Sequence, residues 1–264
     1  STCGRPVRRR GLELGPGLRY ARRYYVFLGP PGAHGYAPAF RYAWERVDPP
    51  PALPDWGAIV AAKAGHVASN HFYRRGRAAG FIGTLTDSFV PFLNSFSAGF
   101  LGKNIEMALA LFRIGRETGQ DELPRMAVEV ADFFQGGRLE NGLFLTDYQL
   151  GRGRWCGLSY GTRREVNTRM AGEAAVCLLR LHAETGPADL ERPAWRDQAV
   201  RLGDFFVANL PDDGNPGKWW SLDGRRTDDT GTNGAYIVSL LAALHRETGD
   251  ARYREAMRRS ADFF

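Results

Sequence analysis

The sequence predicts a mainly α-helical protein that forms part of an α/α toroid, a ring of helical hairpins with an inner and an outer layer. Two observations predict this fold. An apolar helical pattern that ends in Glu-Thr-Gly occurs three times, at residues 108–119, 175–186 and 238–249. A second amphipathic segment follows each copy and ends in Asp-Phe-Phe, at residues 132–134, 204–206 and 262–264. Self-similarity at a long period, with two helices per unit, is typical of a repeat architecture.

Composition limits the classes of partner. The chain carries a net charge of +6 and has 35 basic residues. Three of these are lysines, so the other 32 (35 minus 3) are arginines, which are spread along the whole chain. This bias in arginine usage lacks the basic stripe with interleaved aromatic residues that is typical of nucleic-acid binding. We therefore expect no nucleic-acid partner.

Cysteine usage and hydropathy limit the compartment. The three cysteines form no Cys-x-x-Cys motif, so we expect no metal site, no cofactor and no disulfide framework. This pattern is compatible with a reducing compartment and slightly favours the cytoplasm. No apolar run approaches the roughly 18 residues that a membrane-spanning helix needs, so we expect no membrane partner. The oligomeric state stays open.

The N-terminal part differs in character from the rest. Residues 1–18 are rich in glycine and arginine and are predicted to be a tail. Residues 19–54 are predicted to be a β-like segment that ends in a stiff, proline-rich linker. The first strand of this segment is predicted at residues 24–28. A second strand is predicted from three alternating aromatic residues, Phe40, Tyr42 and Trp44.

The toroid domain is predicted to span residues 55–264. Asp55 is a plausible N-cap of a helix that ends near Phe72 and Tyr73. Three helical hairpins are then predicted, at about 102–134, 166–207 and 232–264. The first helix of each hairpin is apolar almost all round, which predicts burial on every side, whereas the second has one apolar stripe. The last pattern reaches Phe264 without a stop signal, so we expect the domain to be truncated at its C-terminus.

Long connections between the hairpins are the predicted location of function. They lie at about residues 75–101, 135–165 and 208–231, and all are expected at one rim of the ring. Loops of this length in a compact domain are usually functional. Each contains a glycine turn, an apolar or aromatic pair and an aspartate, namely Asp87, Asp147 and Asp223. These carboxylates either converge over the centre of the ring or simply cap turns.

The repeated unit resembles a known superfamily. Apolar helices that end in Glu-Thr-Gly, outer helices that end in Phe-Phe and the loops that follow are similar to the six-hairpin (α/α)6 glycosidase-like superfamily. Its members include glycoside hydrolases, unsaturated glucuronyl hydrolases, polysaccharide lyases and N-acylglucosamine 2-epimerases. The resemblance covers about residues 56–264 and implies a carbohydrate-active enzyme, without identifying a family.

The branches of this superfamily imply different catalytic residues. In the glucuronyl hydrolases two aspartates from successive hairpins act as acid and base, and Asp87 and Asp147 are placed similarly. The epimerases use paired histidines near the ring centre. Here His182 and His245 each lie two residues before Glu-Thr-Gly, where a helix dipole role is favoured.

Glycosidic chemistry requires a proton donor and a second carboxylate. Asp147 is the first choice because Tyr148, Trp155 and Tyr160 follow it closely, with Asp87 or Asp223 as its partner. Tryptophans in the long loops either stack on sugar rings or plug the mouth of the barrel. The predicted substrate-binding residues are Tyr148, Arg152, Trp155, Tyr160, Glu165, Asn167, Trp219, Trp220, Asp229 and Asn233. Among these, the two asparagines begin inner helices, where capping is favoured.

The predicted function is therefore carboxylate-assisted hydrolysis of an oligo- or polysaccharide. The arginines that crowd two of the loops indicate a uronate-containing substrate, because guanidinium groups bind carboxylates in a bidentate manner. A polysaccharide lyase with Tyr148 or Tyr160 as base beside an arginine is one alternative. A non-catalytic module that binds a glycan or a peptide is another. A weaker resemblance of Trp155-Cys156 to the zinc element of lanthionine synthetase cyclases lacks the second cysteine and histidine which that site needs.

Overall fold

The structure is a computed structural model. It describes residues 37–46, 55–82, 95–100, 102–157, 164–186 and 192–264. The chain divides into two compact units, Ser1–Leu53 and Pro54–Phe264. In the first unit the described part is helix α1 (Ala37–Arg46). The predicted strand at residues 24–28 lies outside the described residues.

Helix α1 corrects one prediction. Phe40, Tyr42 and Trp44 were expected to alternate along a strand, but they lie within α1. Phe40 and Trp44 are also four residues apart, which is a helical spacing, and the alanines between and around them favour a helix. An alternating trio of aromatic residues is therefore compatible with both structures, and here the helical one forms.

The second unit contains seven helices and eight strands among its described residues. The helices are α2 (Trp56–Asn70), α3 (Asn104–Thr118), α4 (Glu122–Phe134), α5 (Thr168–Thr185), α6 (Pro193–Asn209), α7 (Ala235–Thr248) and α8 (Ala251–Phe263). The strands are β1 (Phe72–Arg75), β2 (Ala78–Phe81), β3 (Ser95–Ser97), β4 (Asp147–Gln149), β5 (Arg154–Cys156), β6 (Glu165–Asn167), β7 (Trp219–Ser221) and β8 (Arg226–Asp228). The three predicted hairpins are confirmed as α3–α4, α5–α6 and α7–α8. No described helix combines the length and the apolarity needed to cross a membrane.

The start of α2 agrees with the prediction and its end does not. The Oδ1 atom of Asp55 accepts a hydrogen bond from the backbone N–H of Gly57 at 2.8 Å, so Asp55 is the N-cap. The helix ends at Asn70, however, and Phe72 begins β1. Phe72 pairs in register with Phe81 of β2, and their rings lie 5.7 Å apart. Phe72 and Tyr73 therefore belong to a β-hairpin that follows the helix.

The helices form an inner and an outer layer. α5 packs between α3 and α7, and each of these three inner helices packs on the outer helix of its own hairpin. Tight turns join α3 to α4 and α7 to α8, where Gly119 and Gly249 end the inner helices with φ of 69° and 71°. Such left-handed C-caps are accessible to glycine without strain.

Burial of the inner helices is less complete than predicted. α5 is buried along most of its length, but α3 and α7 each leave a face open. The prediction of burial on every side is therefore wrong for α3 and α7. The polar residues of their open faces border a groove on the inner surface, which is described below.

Two three-stranded sheets connect the long loops at one rim. β3 precedes α3 and pairs with the β4–β5 hairpin of the next loop, and β6 precedes α5 and pairs with β7–β8 in the same way. Each sheet therefore joins two successive connections. In the first sheet Tyr148 pairs with Phe96 on one neighbouring strand and with Trp155 on the other. In the second sheet Val166 pairs with Trp220.

The repeated Phe-Phe pairs hold these sheets on the outer helices. The ring of Phe133 lies 4.9 Å from those of both Tyr148 and Trp155. In the next unit the ring of Trp220 lies 5.0 Å from Phe205 and 5.7 Å from Phe206. Aromatic pairs at these separations contribute about 0.5–1.5 kcal/mol beyond the area they bury. The end of each outer helix thereby fixes the position of the rim sheet above it.

Candidate active site

The three inner helices border a groove on the inner surface of the toroid. Its volume is about 470 Å³. Side chains from α3, α5 and α7 line it, and the charged or aromatic ones are Lys103, Glu106, Arg113, Glu173, Arg180 and Tyr236. The strands β3 and β6 of the rim sheets lead into α3 and α5, two of the helices that line this groove.

Glu173 is the most constrained carboxylate in this groove. Its side chain is 9% exposed, although it lies on the groove wall. One carboxylate oxygen, Oε2, accepts a hydrogen bond from the backbone N–H of Phe100 at 2.7 Å. The other, Oε1, lies 3.4 Å from Nζ of Lys103. These two donors hold the carboxylate in one position, as catalytic acid/base groups require.

Lys103 connects two carboxylates from successive hairpins. Its ammonium group donates to Glu106 of α3 and to Glu173 of α5. The hydrogen bond from Lys103 to Glu106 raises the pKa of the lysine above its ordinary value. The groove therefore presents a carboxylate–ammonium–carboxylate cluster across the α3–α5 boundary.

The backbone beside this cluster is strained. Phe100 and Lys103 have φ of 52° and 46°, and they are the non-glycine residues with positive φ in the described part of the chain. Left-handed conformations at such residues cost about 1–3 kcal/mol and occur preferentially at functional sites. Here both strained residues donate hydrogen bonds to Glu173, so the strain serves to position its carboxylate.

Aromatic groups flank the rim end of the groove. The guanidinium carbon of Arg169 lies 4.5 Å from the centre of the Phe100 ring and 5.3 Å from that of Tyr236. Phe100 is 40% exposed. A cation held over two aromatic rings gives a flat surface with apolar and polar parts, which suits the mixed faces of a sugar ring.

Asp147, the first predicted catalytic residue, lies in β4 and is fully buried. It pairs with Ser97 on one side and Cys156 on the other. Side chains alternate along a strand, and Tyr148 packs on Phe133 of the outer helix. Asp147 therefore faces away from the outer helix. Burial raises the pKa of the Cys156 thiol to about 11, and the Asp147 carboxylate adds to this effect.

Asp223 does not occupy the equivalent position. It lies in the turn between β7 and β8 with a side chain that is 61% exposed. It accepts hydrogen bonds from the Ser221 hydroxyl and from Nε of Arg225, and the Ser221 bond lowers its pKa most. In the second sheet the register position of Asp147 is held by Trp219. Asp147 and Asp223 therefore occupy different positions in their sheets, because spacing along the loop does not fix strand register.

Several predicted binding residues have structural partners. Asn167 caps α5, since its Oδ1 accepts from the backbone N–H of Met170 at 3.1 Å. Trp219 and Trp220 are 7% and 3% exposed. The indole N–H of Trp220 donates to the carbonyl of Pro216 at 2.8 Å. The favoured capping role is confirmed for Asn167, and Trp220 fits the interpretation that it fills the rim.

The remaining predicted residues are dispersed. Tyr148 is packed behind Phe133, whereas Trp155 lies at the edge of a second groove, on the outer side of α4. Glu165 is opposite Ser221 in the second sheet, and Arg152 is exposed in the turn between β4 and β5. Asp229 is exposed, and Asn233 precedes α7 without capping it. Asp87 and Tyr160 lie outside the described residues.

The cluster around Glu173 was not found from the sequence, although a signal was present. Glu173 is the one carboxylate in the run Met-Ala-Gly-Glu-Ala-Ala-Val, within the most buried helix. A lone carboxylate in an apolar helix is rare unless it has a partner. The partners Phe100 and Lys103 are about 70 residues away in sequence, so only the fold reveals them. Within the described ranges no three histidine, cysteine or acidic side chains are grouped to hold a metal ion.

No family model and no curated protein sequence matches the chain. Solved structures do match it. A cellobiose 2-epimerase from Bacillus thermoamylovorans superposes with a TM-score of 0.51 and 14% identity over 72% of this chain and 47% of that one. A GH76 α-mannanase from Bacteroides thetaiotaomicron gives 0.50 and 16%, over 77% and 56% of the two chains. A family 10 polysaccharide lyase from Cellvibrio cellulosa gives 0.53 and 12%, over 78% and 70%.

The likeness concerns the fold. The chain spans about half the length of the epimerase and the mannanase. These structures have the α/α-toroid fold, and they do not single out one family. At 12–16% identity the likeness shows that the chain has this fold.

Proposed function

We propose that the protein is a carbohydrate-processing enzyme whose active site is the inner groove. The observation that carries this proposal is the cluster of Glu106, Lys103 and Glu173, which joins two successive hairpins on the inner surface. The structures with the same fold are named as an epimerase, a mannanase and a lyase, and each name refers to a saccharide. A toroid of this kind with an acid/base cluster in its inner groove suits the same class of substrate.

Carboxylate-assisted hydrolysis is the chemistry that the cluster supports best. It requires one carboxyl group to protonate the leaving oxygen and a second one to act as base or nucleophile. Glu173 is the proposed acid/base, because it is held by fixed donors in a nearly buried position. Glu106, with a side chain that is 49% exposed, is the proposed second carboxylate. Asp147 remains a proposed alternative, since it faces away from the outer helix.

The basic residues of the groove favour a uronate in the substrate. Arg113 is paired with Glu184, whereas Arg180 has no acidic partner among the described residues and is exposed in the groove. An unpaired guanidinium group binds a carboxylate in a bidentate manner. We infer that Arg180 holds the carboxylate of an acidic sugar.

Elimination is the second candidate chemistry. Tyr236 lies in the groove beside Arg169, and a tyrosine base next to an arginine is the arrangement that the lyase alternative needs. Of the two tyrosines first considered for this role, Tyr148 is packed against Phe133. Tyr236 is therefore the proposed base if the reaction is an elimination.

Product analysis distinguishes these chemistries. The protein is incubated with neutral and uronate-containing oligosaccharides, and the products are examined by chromatography, ultraviolet absorption and NMR. New reducing ends without absorption indicate hydrolysis, an absorbing unsaturated product indicates elimination, and a product of unchanged mass indicates epimerisation. If saccharides bind but none is converted, the enzymatic proposal fails and a binding module is supported.

A further inference from the structure

A second groove lies on the outer surface of the toroid. Its volume is about 810 Å³. The turn between β1 and β2, the helix α4, the strand β5 and the residue before α6 form its walls. The residues that define its character are Arg77, Arg125, Val128, Phe133, Trp155 and Arg192. None of them lines the inner groove, so the two grooves are separate features.

The outer groove carries positive charge that the protein does not neutralise. Its two acidic residues are already engaged, Glu129 with Arg74 and Asp132 with Arg192. Arg77 and Arg125, by contrast, have no acidic partner in the part of the chain that the structure describes. Two guanidinium groups are thereby available to a ligand. Because such groups bind carboxylates in a bidentate manner, the groove is complementary to an anion.

An aromatic wall accompanies these charges. The rings of Phe133 and Trp155 are stacked, with centres 4.9 Å apart and planes inclined by 29°. The indole N–H groups of Trp195 and Trp220 donate to Asp132 and to Pro216 at 2.9 Å and 2.8 Å. The indole N–H of Trp155 has no such acceptor among the described residues, so a ligand in the groove can accept from it.

We propose that the outer groove binds an acidic saccharide, such as a segment of uronate residues, at a site separate from the active site. A pyranose ring combines an apolar face, which packs on an aromatic wall, with hydroxyl oxygens that accept from an indole N–H. Uronate carboxylates pair with Arg77 and Arg125. The choice of a saccharide over an acidic peptide rests on the proposed function. The site would hold a polymeric substrate on the outer surface while another segment reaches the inner groove.

Calorimetric titration with a galacturonate hexasaccharide tests this proposal. The titrations use the Glu173→Gln background, which slows turnover and leaves the outer groove intact, and conversion is measured separately with the wild-type protein. Replacing both arginines, Arg77→Ala and Arg125→Ala, is expected to weaken the outer-site affinity by about tenfold or more, since two charge-assisted contacts are lost. Trp155→Phe keeps the apolar wall and removes the N–H, so a smaller loss is expected. Arg254→Ala, an exposed arginine of α8, is the matched control and should leave the affinity unchanged.

Each outcome decides the proposal. It is overturned if the double arginine variant binds the hexasaccharide as the background does. It is also overturned if a poly-glutamate peptide binds through these arginines and the hexasaccharide does not, because the ligand is then an acidic peptide. If arginine-dependent saccharide binding is found but no saccharide is converted, the outer site stands and the proposed enzymatic function fails. If saccharides are converted but the double arginine variant binds the hexasaccharide as the background does, the outer site fails and the proposed enzymatic function stands.

Discussion

Glu173 is the residue on which the proposed chemistry depends. Replacing it with glutamine removes the titratable group but keeps an oxygen that can accept from the backbone N–H of Phe100. We expect Glu173→Gln to lower kcat by about 10²–10⁴-fold, the usual contribution of an acid/base group, with little change in Tm. Steady-state kinetics on the converted saccharide, together with thermal unfolding, measure both quantities.

Glu255→Gln is the control for this prediction. Glu255 is an exposed residue of the outer helix α8 and does not line the inner groove. Its replacement removes one surface charge, so activity should change little. Equal losses in the two variants would show that the effect of Glu173→Gln does not come from the chemistry. If Asp147→Asn abolishes activity while Glu173→Gln retains it, the catalytic acid is the one that the sequence first indicated.

The two buried thiols should make the free energy of unfolding depend on pH in the alkaline range. Burial raises the pKa of both Cys156 and Cys177 from 9.0 to about 11. Between these values the unfolded chain loses the thiol protons and the folded chain keeps them, so stability falls as pH rises from 9.0 to about 11. Below 9.0 the two thiols have no effect on the pH dependence. Urea unfolding at pH 8 and pH 10.5 should therefore show a smaller alkaline loss in the Cys156→Ser, Cys177→Ser double variant. An equal loss in both proteins contradicts the prediction.

Residue roles were the least predictable part of the molecule. Carboxylates from successive hairpins were expected to form the site, so the type of group was predicted. In the structure, however, Glu173 is better placed than the described aspartates of the long loops. Sequence spacing identified Asp147 as a rim residue and could not show that it is fully buried. Asn167 was easier, because an N-cap depends on contacts within three residues.

Among the elements, β2, β3 and α3 are joined by a single side chain. Asn104 is fully buried, accepts from the N–H of Phe81 at 2.5 Å and donates to the carbonyls of Phe81 and Ser97 at 3.1 and 3.0 Å. Asn104→Ala leaves these backbone groups buried without a partner. We expect a loss of about 2–4 kcal/mol in the free energy of unfolding, measured by urea denaturation. Asn70→Ala, at an exposed position, is the control, and a loss as small as in that variant would contradict the prediction.

Gly203 allows close packing of α6 against α7 and α8. A Cβ atom at Gly203 of α6 would lie 2.2 Å from Cδ1 of Leu244 and 3.2 Å from the ring of Tyr253. Gly203→Ala should therefore destabilise the protein by about 1–3 kcal/mol through overpacking. At Gly65 of α2 the same atom would meet nothing within 4 Å. Gly65→Ala should instead stabilise by about 0.5–1 kcal/mol, because alanine favours the helix. Thermal unfolding of the two variants measures these changes: Tm should fall for Gly203→Ala and rise for Gly65→Ala.

The helices of the three hairpins were predictable, whereas helix α1 and the strands of the rim sheets were not. Helical periodicity extends over a dozen or more residues in each hairpin, so the elements and their order could be derived from the sequence. The strands of the rim sheets span three residues each, which is too short for an alternating pattern to be recognised. Their positions follow from contacts between loops, such as Trp155 against Phe133, and these contacts form only after the hairpins pack.

At the scale of the whole molecule, the repeated unit explains how the helices and the rim sheets are arranged. Each Phe-Phe end of α4 and α6 anchors a rim sheet, and each sheet leads the chain into the next inner helix. The inner helices thereby bring their N-terminal halves together beneath the rim, where Glu106, Lys103 and Glu173 meet. The same arrangement places Trp155 and Phe133 at the edge of the outer groove. One repeated unit therefore generates a groove on the inner surface and another on the outer surface.

Hydrogen exchange in the presence of a bound saccharide tests the central claim most directly. The Glu173→Gln variant is saturated with a saccharide that the wild-type protein converts, and amide exchange is followed by mass spectrometry. We predict that protection is strongest at residues 98–100 and 102–106 and in the first two turns of α5 and α7, around the proposed acid/base cluster. Unchanged exchange in these segments would contradict the assignment of the inner groove as the active site. This holds whether protection appears only in the β1–β2 turn and α4 or is absent there as well.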